Sequence, residues 1–415
     1  MTYSVAASHA RGKVATDNIF GANAAAVKAA AKYGNDKVIN ATIGALLDEQ
    51  EVLACLPTVE TVLRNLPIAE IINYAPISGL PDYLTAVAEL SFAAHKPDAY
   101  TGAIATSGGS GVIHHVVANY TEIGDTVLTS DWFWGPYRVL CNDALRKLDT
   151  YQLFDAAQKF NVTAFEAKVS SLLAKQDSLV VIINTPAHNP TGYSLTNEEW
   201  DQVLDVCKKQ GQNGKKRIIL VVDIAYLDYA GEKNASRSFM EKFGGLPKNI
   251  LTVLAFSMSK GFTMYGQRTG AMIGISADKD VITEFVNINQ YTSRATWSNI
   301  NRGAMRLLAT IYQDKTLLTQ LEKERNYLYG LTRDRADIFM REAKQVKLNM
   351  LPYIAGFFLT IPAKNPAAVC DKLHDVNVFA VPLSKGIRIA VCAVPSVKIT
   401  GLAGKVADAM DAVDK

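Results

Sequence analysis

Cysteine is scarce in this chain. The five present among 415 residues (Cys55, Cys141, Cys207, Cys370, Cys392) are scattered, odd in number and never spaced Cys-x-x-Cys. That pattern argues against a disulfide framework or a zinc site, and a reducing, cytoplasmic compartment is expected. Long apolar runs are missing too. Leu179–Ile183 and Ile218–Val222 are strand-length, far short of the ~20 residues of a membrane-spanning helix. Met1 to Lys13 has no continuous apolar segment and is not expected to act as a signal peptide. Nor does one charge dominate. The 43 Lys+Arg against 40 Asp+Glu give a net charge of +3, with no basic run or tail. A nucleic-acid partner held by a strong basic field is therefore not expected. With 49% hydrophobic residues, the chain has ample apolar surface to bury, which excludes disorder as its main state.

What is present is an alternation of strand-like runs and helical patterns, the signature of parallel β-α units in an α/β fold. Strands are predicted at Ile104–Ser107, Thr126–Thr129, Val180–Asn184, Ile218–Asp223, Leu251–Phe256 and Gly270–Ile275. Several are apolar throughout, as in a sheet covered on both faces. Ala-rich Gly21–Ala31 reads as a helix. Thr196 and Glu199 form a capping box ahead of Trp200, Val203, Leu204 and Cys207 at helical spacing. From Asp314 to Gln345 a long charged pattern predicts a helix bridging two domains, followed by strands at Gly356–Ile361 and Ile387–Val391. The predicted division is a large domain over residues 49–325 with a mostly parallel central sheet. A smaller α+β domain would form from residues 326–415, with residues 1–48 as an arm that joins it.

Ligands of parallel sheets bind beyond the carboxyl ends of the strands, and the residues found there are polar and specific. A Lys at the end of a buried strand, Lys260, is costly if charged and unpaired; a neutral lysine is a nucleophile. It could also snorkel to the surface. Ser257, Ser259 and Arg268 supply donors suited to a phosphate. Asp223 ends another buried strand and reads as a cap, as half of an ion pair with a nearby Arg, or as the partner of a cationic ligand nitrogen. Gly108-Gly109-Ser110-Gly111 stands between a strand and a helix, and reads as a phosphate-binding helix N-terminus or as a tight turn. The glycine fingerprints of dinucleotide and P-loop sites are absent. Trp134 reads as a core residue or as a flat wall for a ligand.

Taken together, Asn189-Pro190-Thr191-Gly192, Asp223-x-x-Tyr226 and Ser257-x-Ser259-Lys260 followed by Arg268-x-Gly270 resemble the pyridoxal-phosphate-dependent aminotransferases of fold type I, class I. The resemblance runs from about Ile39 to Arg388. It implies that Lys260 carries the cofactor and moves a proton. It further implies that Asp223 faces the ring nitrogen, Tyr226 and Asn189 the phenolic oxygen, and Trp134 the ring face. Gly109, Ser110, Ser257, Ser259 and Arg268 would cradle the phosphate. Tyr74 resembles the tyrosine that reaches the phosphate of a neighbouring subunit, implying a homodimer with shared sites. Arg388 resembles the arginine that grips the substrate α-carboxylate, a planar group suited to a guanidinium fork. Arg294 resembles the arginine that binds a distal carboxylate across the dimer, or else is a solvated helix charge. Gly44, with Ile43, resembles the segment that closes over substrate. Phe358 matches the corresponding position on the C-terminal side, while Trp134 and Asn189 border the substrate. Departures are Gly108 where a serine is commoner, and Ile300 where proline often follows the asparagine.

The implied activity is ping-pong transfer of an amino group from an L-amino acid, aspartate or glutamate first and aromatic second, to a 2-oxo acid. The same fold hosts lyases and decarboxylases. A serine hydrolase is a distant alternative, because Ser257-x-x-Lys260 is also a nucleophile pattern; its partner motifs are missing, since Ser130-Asp131 is followed by Trp132 and Arg268-Thr269-Gly270 comes too early. A fold-related DNA-binding regulator has no basic helix-turn-helix segment here. His114 and His115, being adjacent on a helix, do not make a metal pair, and no metal is expected.

Overall fold

The computed structural model describes residues 4–14, 18–212 and 214–414. Eight strands form in the first part of the chain: β1 (Ile39–Asn40), β2 (Tyr100–Thr106), β3 (Thr126–Ser130), β4 (Lys147–Tyr151), β5 (Ser178–Asn184), β6 (Arg217–Asp223), β7 (Ile250–Ser257) and β8 (Gly270–Ser276). Seven of them make one sheet in the order β2-β8-β7-β6-β5-β3-β4, in which β8 alone runs against its neighbours. The alternation of side chains along β5 and β6 sorts the sheet into two layers. Leu179, Val181, Ile183, Leu220 and Val222 pack on one face with Trp200 and Leu204 of the helix Asn197–Gly211. Val180, Ile182, Ile219 and Val221 pack on the other with Val112 and Val116 of the helix Gly108–Tyr120 and Phe285 of the helix Lys279–Thr296. Burial on both faces is why these strands read as unbroken apolar runs.

A second core lies in the C-terminal part. Strands β9 (Phe358–Pro362), β10 (Val378–Phe379), β11 (Val381–Pro382) and β12 (Gly386–Ala390) follow. β11, β12 and β9 form an antiparallel sheet, while β10 pairs with β1 so that Ile39 lies beside Val378. The N-terminal segment is thereby sewn into the C-terminal core, where Ile39, Leu359, Ile361, Ile387 and Ile389 are buried together. The bridging helix spans Lys315–Gln345. Asp314 caps it, its carboxylate accepting N–H bonds from Thr316 (2.8 Å) and Leu317 (3.1 Å). Leu321 and Leu328 belong to the first core, Ala336 and Phe339 to the second.

Two differences from the sequence reading have physical reasons. β2 begins at Tyr100 rather than Ile104, because its first four residues are only partly covered and give no apolar run. β4 was not predicted at all. It is an edge strand, Lys-Leu-Asp-Thr-Tyr, with one fully buried residue. The capping box at Thr196 and Glu199 forms with both of its hydrogen bonds, at 3.2 and 3.0 Å.

Candidate active site

At the carboxyl ends of β5, β6 and β7 lies a cavity of ≈ 310 Å³. Ten of the residues singled out from the sequence line it: Gly109, Ser110, Trp134, Asn189, Asp223, Tyr226, Ser257, Ser259, Lys260 and Arg268. A larger cavity of ≈ 590 Å³ opens at the amino ends of the strands, beside Ser178, Arg217 and Asn249. It holds none of them.

One end of the site is built for an anion. The helix Gly108–Tyr120 starts there, so its first N–H groups have no helical acceptor. Gly108 sits at φ +65°, and a Cβ on it would lie 2.8 Å from Arg268 Nη2, so only glycine lets the guanidinium approach this helix end. Arg268 itself holds φ +50°, a left-handed conformation costly for an arginine. Its Nη1 donates to the Tyr265 carbonyl (2.9 Å) and the Ser259 hydroxyl (3.3 Å). Ser257 Oγ accepts the Ser259 N–H at 3.2 Å, capping the short helix Met258–Gly261. That hydroxyl has no hydrogen bond to Lys260, contrary to what a serine–lysine nucleophile requires.

At another wall Asp223 is buried. Its Oδ2 accepts the Tyr137 hydroxyl at 2.5 Å and its Oδ1 the Ala225 N–H at 3.2 Å. Among the described residues no lysine or arginine forms an ion pair with it, so the ion-pair reading of Asp223 is not what the chain adopts. Burial pushes its carboxyl upward in pKa despite these two donors. A cationic N–H from a ligand would complete the site. Asn184, at the end of β5, clasps the neighbouring segments: its Nδ2 donates to the Asp223 carbonyl (2.8 Å) and its Oδ1 accepts the Asn189 N–H (2.6 Å). Asn189 Nδ2 and the Tyr226 hydroxyl are 3.4 Å apart.

Lys260 follows β7 on the short helix. Its Nζ donates to the Gly44 carbonyl and lies 4.6 Å from the centroid of the Tyr265 ring and 5.7 Å from that of Tyr226. No carboxylate pairs with it among the described residues. Burial pulls its pKa down to about 8, with Arg388 and Arg268 pushing the same way, although the Cys392 thiol opposes them. The neutral, nucleophilic amine is thus accessible near neutrality. Gly44 is required by closeness: a Cβ there would lie 2.8 Å from Phe358 Cζ.

Arg388, buried on β12, stands behind Asn189 rather than on the cavity wall. It donates to the Thr42 carbonyl (2.7 Å) and Asn189 Oδ1 (3.3 Å), and its guanidinium lies 4.2 Å from the centroid of the Phe358 ring. Tyr74 is 84% exposed, and Arg294 is an exposed residue in the last turn of the helix Lys279–Thr296, donating to the Ser298 hydroxyl. Neither lines this chain's cavity.

Several participants escaped the sequence reading. Tyr137 acts through Asp223, Asn184 lines the cavity and bonds both Asp223 and Asn189, and Phe20 reaches the cavity from the N-terminal helix Asn18–Tyr33. Behind Lys260, Arg325 donates from Nε to the Gly261 carbonyl (2.5 Å) and shares Asp228 with Arg237. None of these carries a local motif. Tyr137 comes closest, since it opens a helix three residues after Trp134.

Comparison with known proteins agrees with this geometry. A family profile described as "Aminotransferase class I and II" matches residues 36–406. The chain is 26% identical over 385 residues to the aromatic-amino-acid aminotransferase of Escherichia coli (strain K12), covering 89% of this chain and 92% of that one. It is also 26% identical over 309 residues to the cytoplasmic aspartate aminotransferase of Dictyostelium discoideum, covering 71% of this chain and 66% of that protein. Among solved structures, an aminotransferase from Anaerococcus prevotii DSM 20548 superimposes with a TM-score of 0.96 at 37% identity, over 99% of this chain and 100% of the other. An aromatic-amino-acid aminotransferase from Burkholderia pseudomallei, covalently bound to pyridoxal phosphate, shares the fold at a TM-score of 0.77 and 21% identity, over 98% and 100% of the two chains. On the extent of the profile match and of the Anaerococcus superposition, the chain belongs to the aminotransferases of class I and II.

Proposed function

We propose that the enzyme transfers the amino group of an L-amino acid, with aspartate or glutamate the first choice, to a 2-oxo acid in a ping-pong cycle that uses pyridoxal phosphate in the Lys260 cavity. The observation that carries this reading is the company Lys260 keeps: an amine of lowered pKa that no carboxylate pairs with, an anion cradle, and a buried carboxylate that no cation pairs with among the described residues border one cavity. Bound there, the cofactor supplies an electron sink for the carbanion at the substrate Cα.

The chain's residues divide the remaining work. Gly109, Ser110, Ser257, Ser259 and Arg268 would hold the phosphate. Asp223 would keep the ring nitrogen protonated, Tyr226 and Asn189 would bond the phenolic oxygen, and Trp134 would face the ring. Lys260 would anchor the cofactor, and its neutral amine would take the proton from the substrate Cα. Arg388 takes the α-carboxylate in a fork whose plane Thr42, Asn189 and Phe358 already fix. Gly44 passes over the site.

The active form in this reading is a homodimer with shared sites, Tyr74 serving the partner's phosphate and Arg294 the partner's distal carboxylate. The exposed Ile68 and Ile72 beside Tyr74 support a second copy on this face. Residues 49–325 would form the cofactor domain, and 326–415 with the 1–48 arm the smaller one. Five unpaired cysteines, four of them buried, support a cytoplasmic location. A second reading, aromatic substrates, is favoured by Phe20 at the cavity.

The test is the visible absorption of the purified protein before and after L-aspartate at single turnover. The band of the bound aldehyde cofactor is expected to give way to that of its amine form as oxo acid appears. A band that moves with phenylalanine but not with aspartate selects the aromatic reading. No band after added pyridoxal phosphate defeats the cofactor assignment. Lys260→Ala is expected to abolish turnover.

A further inference from the structure

We propose that Tyr137 is a positioning residue which, by donating its hydroxyl proton to Asp223, keeps that carboxylate ionised and so holds the shared proton on the cofactor's ring nitrogen. The inference rests on the cofactor placement proposed above. A carboxylate facing a pyridine nitrogen shares one proton with it, and the proton resides on the more basic partner. A donor to the carboxylate stabilises the anion, weakens it as a base and leaves the proton on the ring.

The structure supplies that donor and little else. Tyr137 is fully buried in the first turn of the helix Pro136–Asp143, its ring edge-on to Trp134 at 5.4 Å and its N–H bonded to the Trp134 carbonyl at 3.0 Å. Its hydroxyl meets Asp223 Oδ2 at 2.5 Å, while Oδ1 takes the Ala225 N–H, so both oxygens are oriented. Burial works the other way, favouring the protonated carboxyl, and the phenol is the side chain that opposes it. Burial and the adjacent Asp223 also push the phenol's own pKa well above its ordinary value, so it remains a donor across the working pH range. A lysine or arginine in this position would also hold Asp223 ionised, but it would compete with the ring nitrogen for the same charge. A neutral donor preserves the anion for the cofactor.

The test reads the proton directly, by 15N NMR of the holoenzyme carrying pyridoxal phosphate labelled at the ring nitrogen. In the unmodified enzyme the resonance is expected at the pyridinium position. Tyr137→Phe keeps the ring that packs on Trp134. It is expected to shift the proton equilibrium toward neutral pyridine by about tenfold to a hundredfold, the scale of one hydrogen bond to a charged group. Tyr137→His, which retains a ring donor, is expected to restore the pyridinium position. Asp223→Asn is the control. If it leaves the resonance unmoved, the cofactor does not face Asp223 and the functional placement fails. If it moves the resonance while Tyr137→Phe does not, the placement stands and the role of Tyr137 is overturned. A measurement that leaves position 137 intact is the hydroxyl proton of Tyr137, expected far downfield in the unmodified holoenzyme and displaced upfield by Asp223→Asn; no displacement overturns the inference.

Discussion

Lys260 is hemmed in by the aromatic faces of Tyr226, Tyr265 and Phe357 and by one carbonyl, so nothing nearby compensates its charge fully. Its pKa falls from 10.5 to about 8 on folding. Between these values the unfolded chain binds the extra proton, so the apoprotein gains stability as pH rises through that interval, and the cost of the buried charge is complete below it. The functional counterpart is a rate. Attachment of pyridoxal phosphate to the apoprotein, followed by its visible absorbance and referred to a free lysine derivative, is expected to rise with pH and level off above about 8. A rate that tracks the free derivative would show that the amine is not tuned. The two arginines proposed to bind substrate, Arg388 and Arg294, give a second residue-scale prediction. Arg388→Lys, losing the fork, is expected to raise KM for every amino acid by roughly 10- to 100-fold. Arg294→Ala is expected to injure dicarboxylates far more than phenylalanine, and equal losses would remove Arg294 from the site. Lys260, Asp223 and Arg268 were legible in the sequence because each is a charged residue set against an apolar strand. Tyr137 and Asn184 were not. Tyr137 reaches the site through Asp223 and Trp134, and Asn184 lines the cavity while bonding Asp223 and Asn189; a buried tyrosine or asparagine carries no local mark of its partner.

Elements are held in register around Lys260 by an ion cluster. Asp228, two residues after Tyr226, accepts from Arg237 at 2.7 Å and lies 3.6 Å from Arg325, which itself donates to the Gly261 carbonyl. Burial raises the Asp228 carboxyl, but the two guanidinium groups outweigh it and hold its pKa below the ordinary carboxylate range. The stability it contributes is therefore present above that range and lost as the pH falls through the depressed folded-state value. Asp228→Ala leaves two buried guanidinium groups uncompensated and is expected to cost about 3–5 kcal/mol. The check is a lower midpoint of denaturant unfolding with an unchanged slope. The contrast in legibility is similar at this scale. The helix Asn197–Gly211 announces itself, because its cap and its apolar period lie within a dozen residues. The cluster joins the short 3-10 helices Leu227–Tyr229 and Ala235–Phe243, a four-residue helix and the long helix Lys315–Gln345, across almost a hundred residues of sequence, so no window contains it. β4 went unseen for a different reason: an edge strand needs little apolar burial, and its polar residues look like a loop.

At the scale of the whole molecule, the proposed homodimer completes each site with residues of a second chain. Tyr74 and Arg294, the two residues that the family pattern assigns to a neighbour, stand outside it. Ile68 and Ile72, close to Tyr74 in the chain, and Tyr291, on the same helix as Arg294, are exposed as well. If the sites are shared, each is built from Lys260 of one subunit and Arg294 of the other. Two inactive variants then repair each other. Lys260→Ala has no anchor for the cofactor, and Arg294→Ala has no partner for a distal carboxylate, so each alone turns over aspartate poorly. When the two are unfolded together and refolded, half of the dimers are mixed. In each mixed dimer one site inherits both lesions and the other inherits none, so about a quarter of all sites are intact under two-fold symmetry. Aspartate turnover is expected to recover to about that fraction of the unmodified enzyme, while phenylalanine turnover, which does not need Arg294, is expected to show no such gain over the Arg294→Ala contribution. Recovery no greater than the mean of the two separate preparations would mean that Lys260 and Arg294 serve the same subunit's site or that Arg294 serves none.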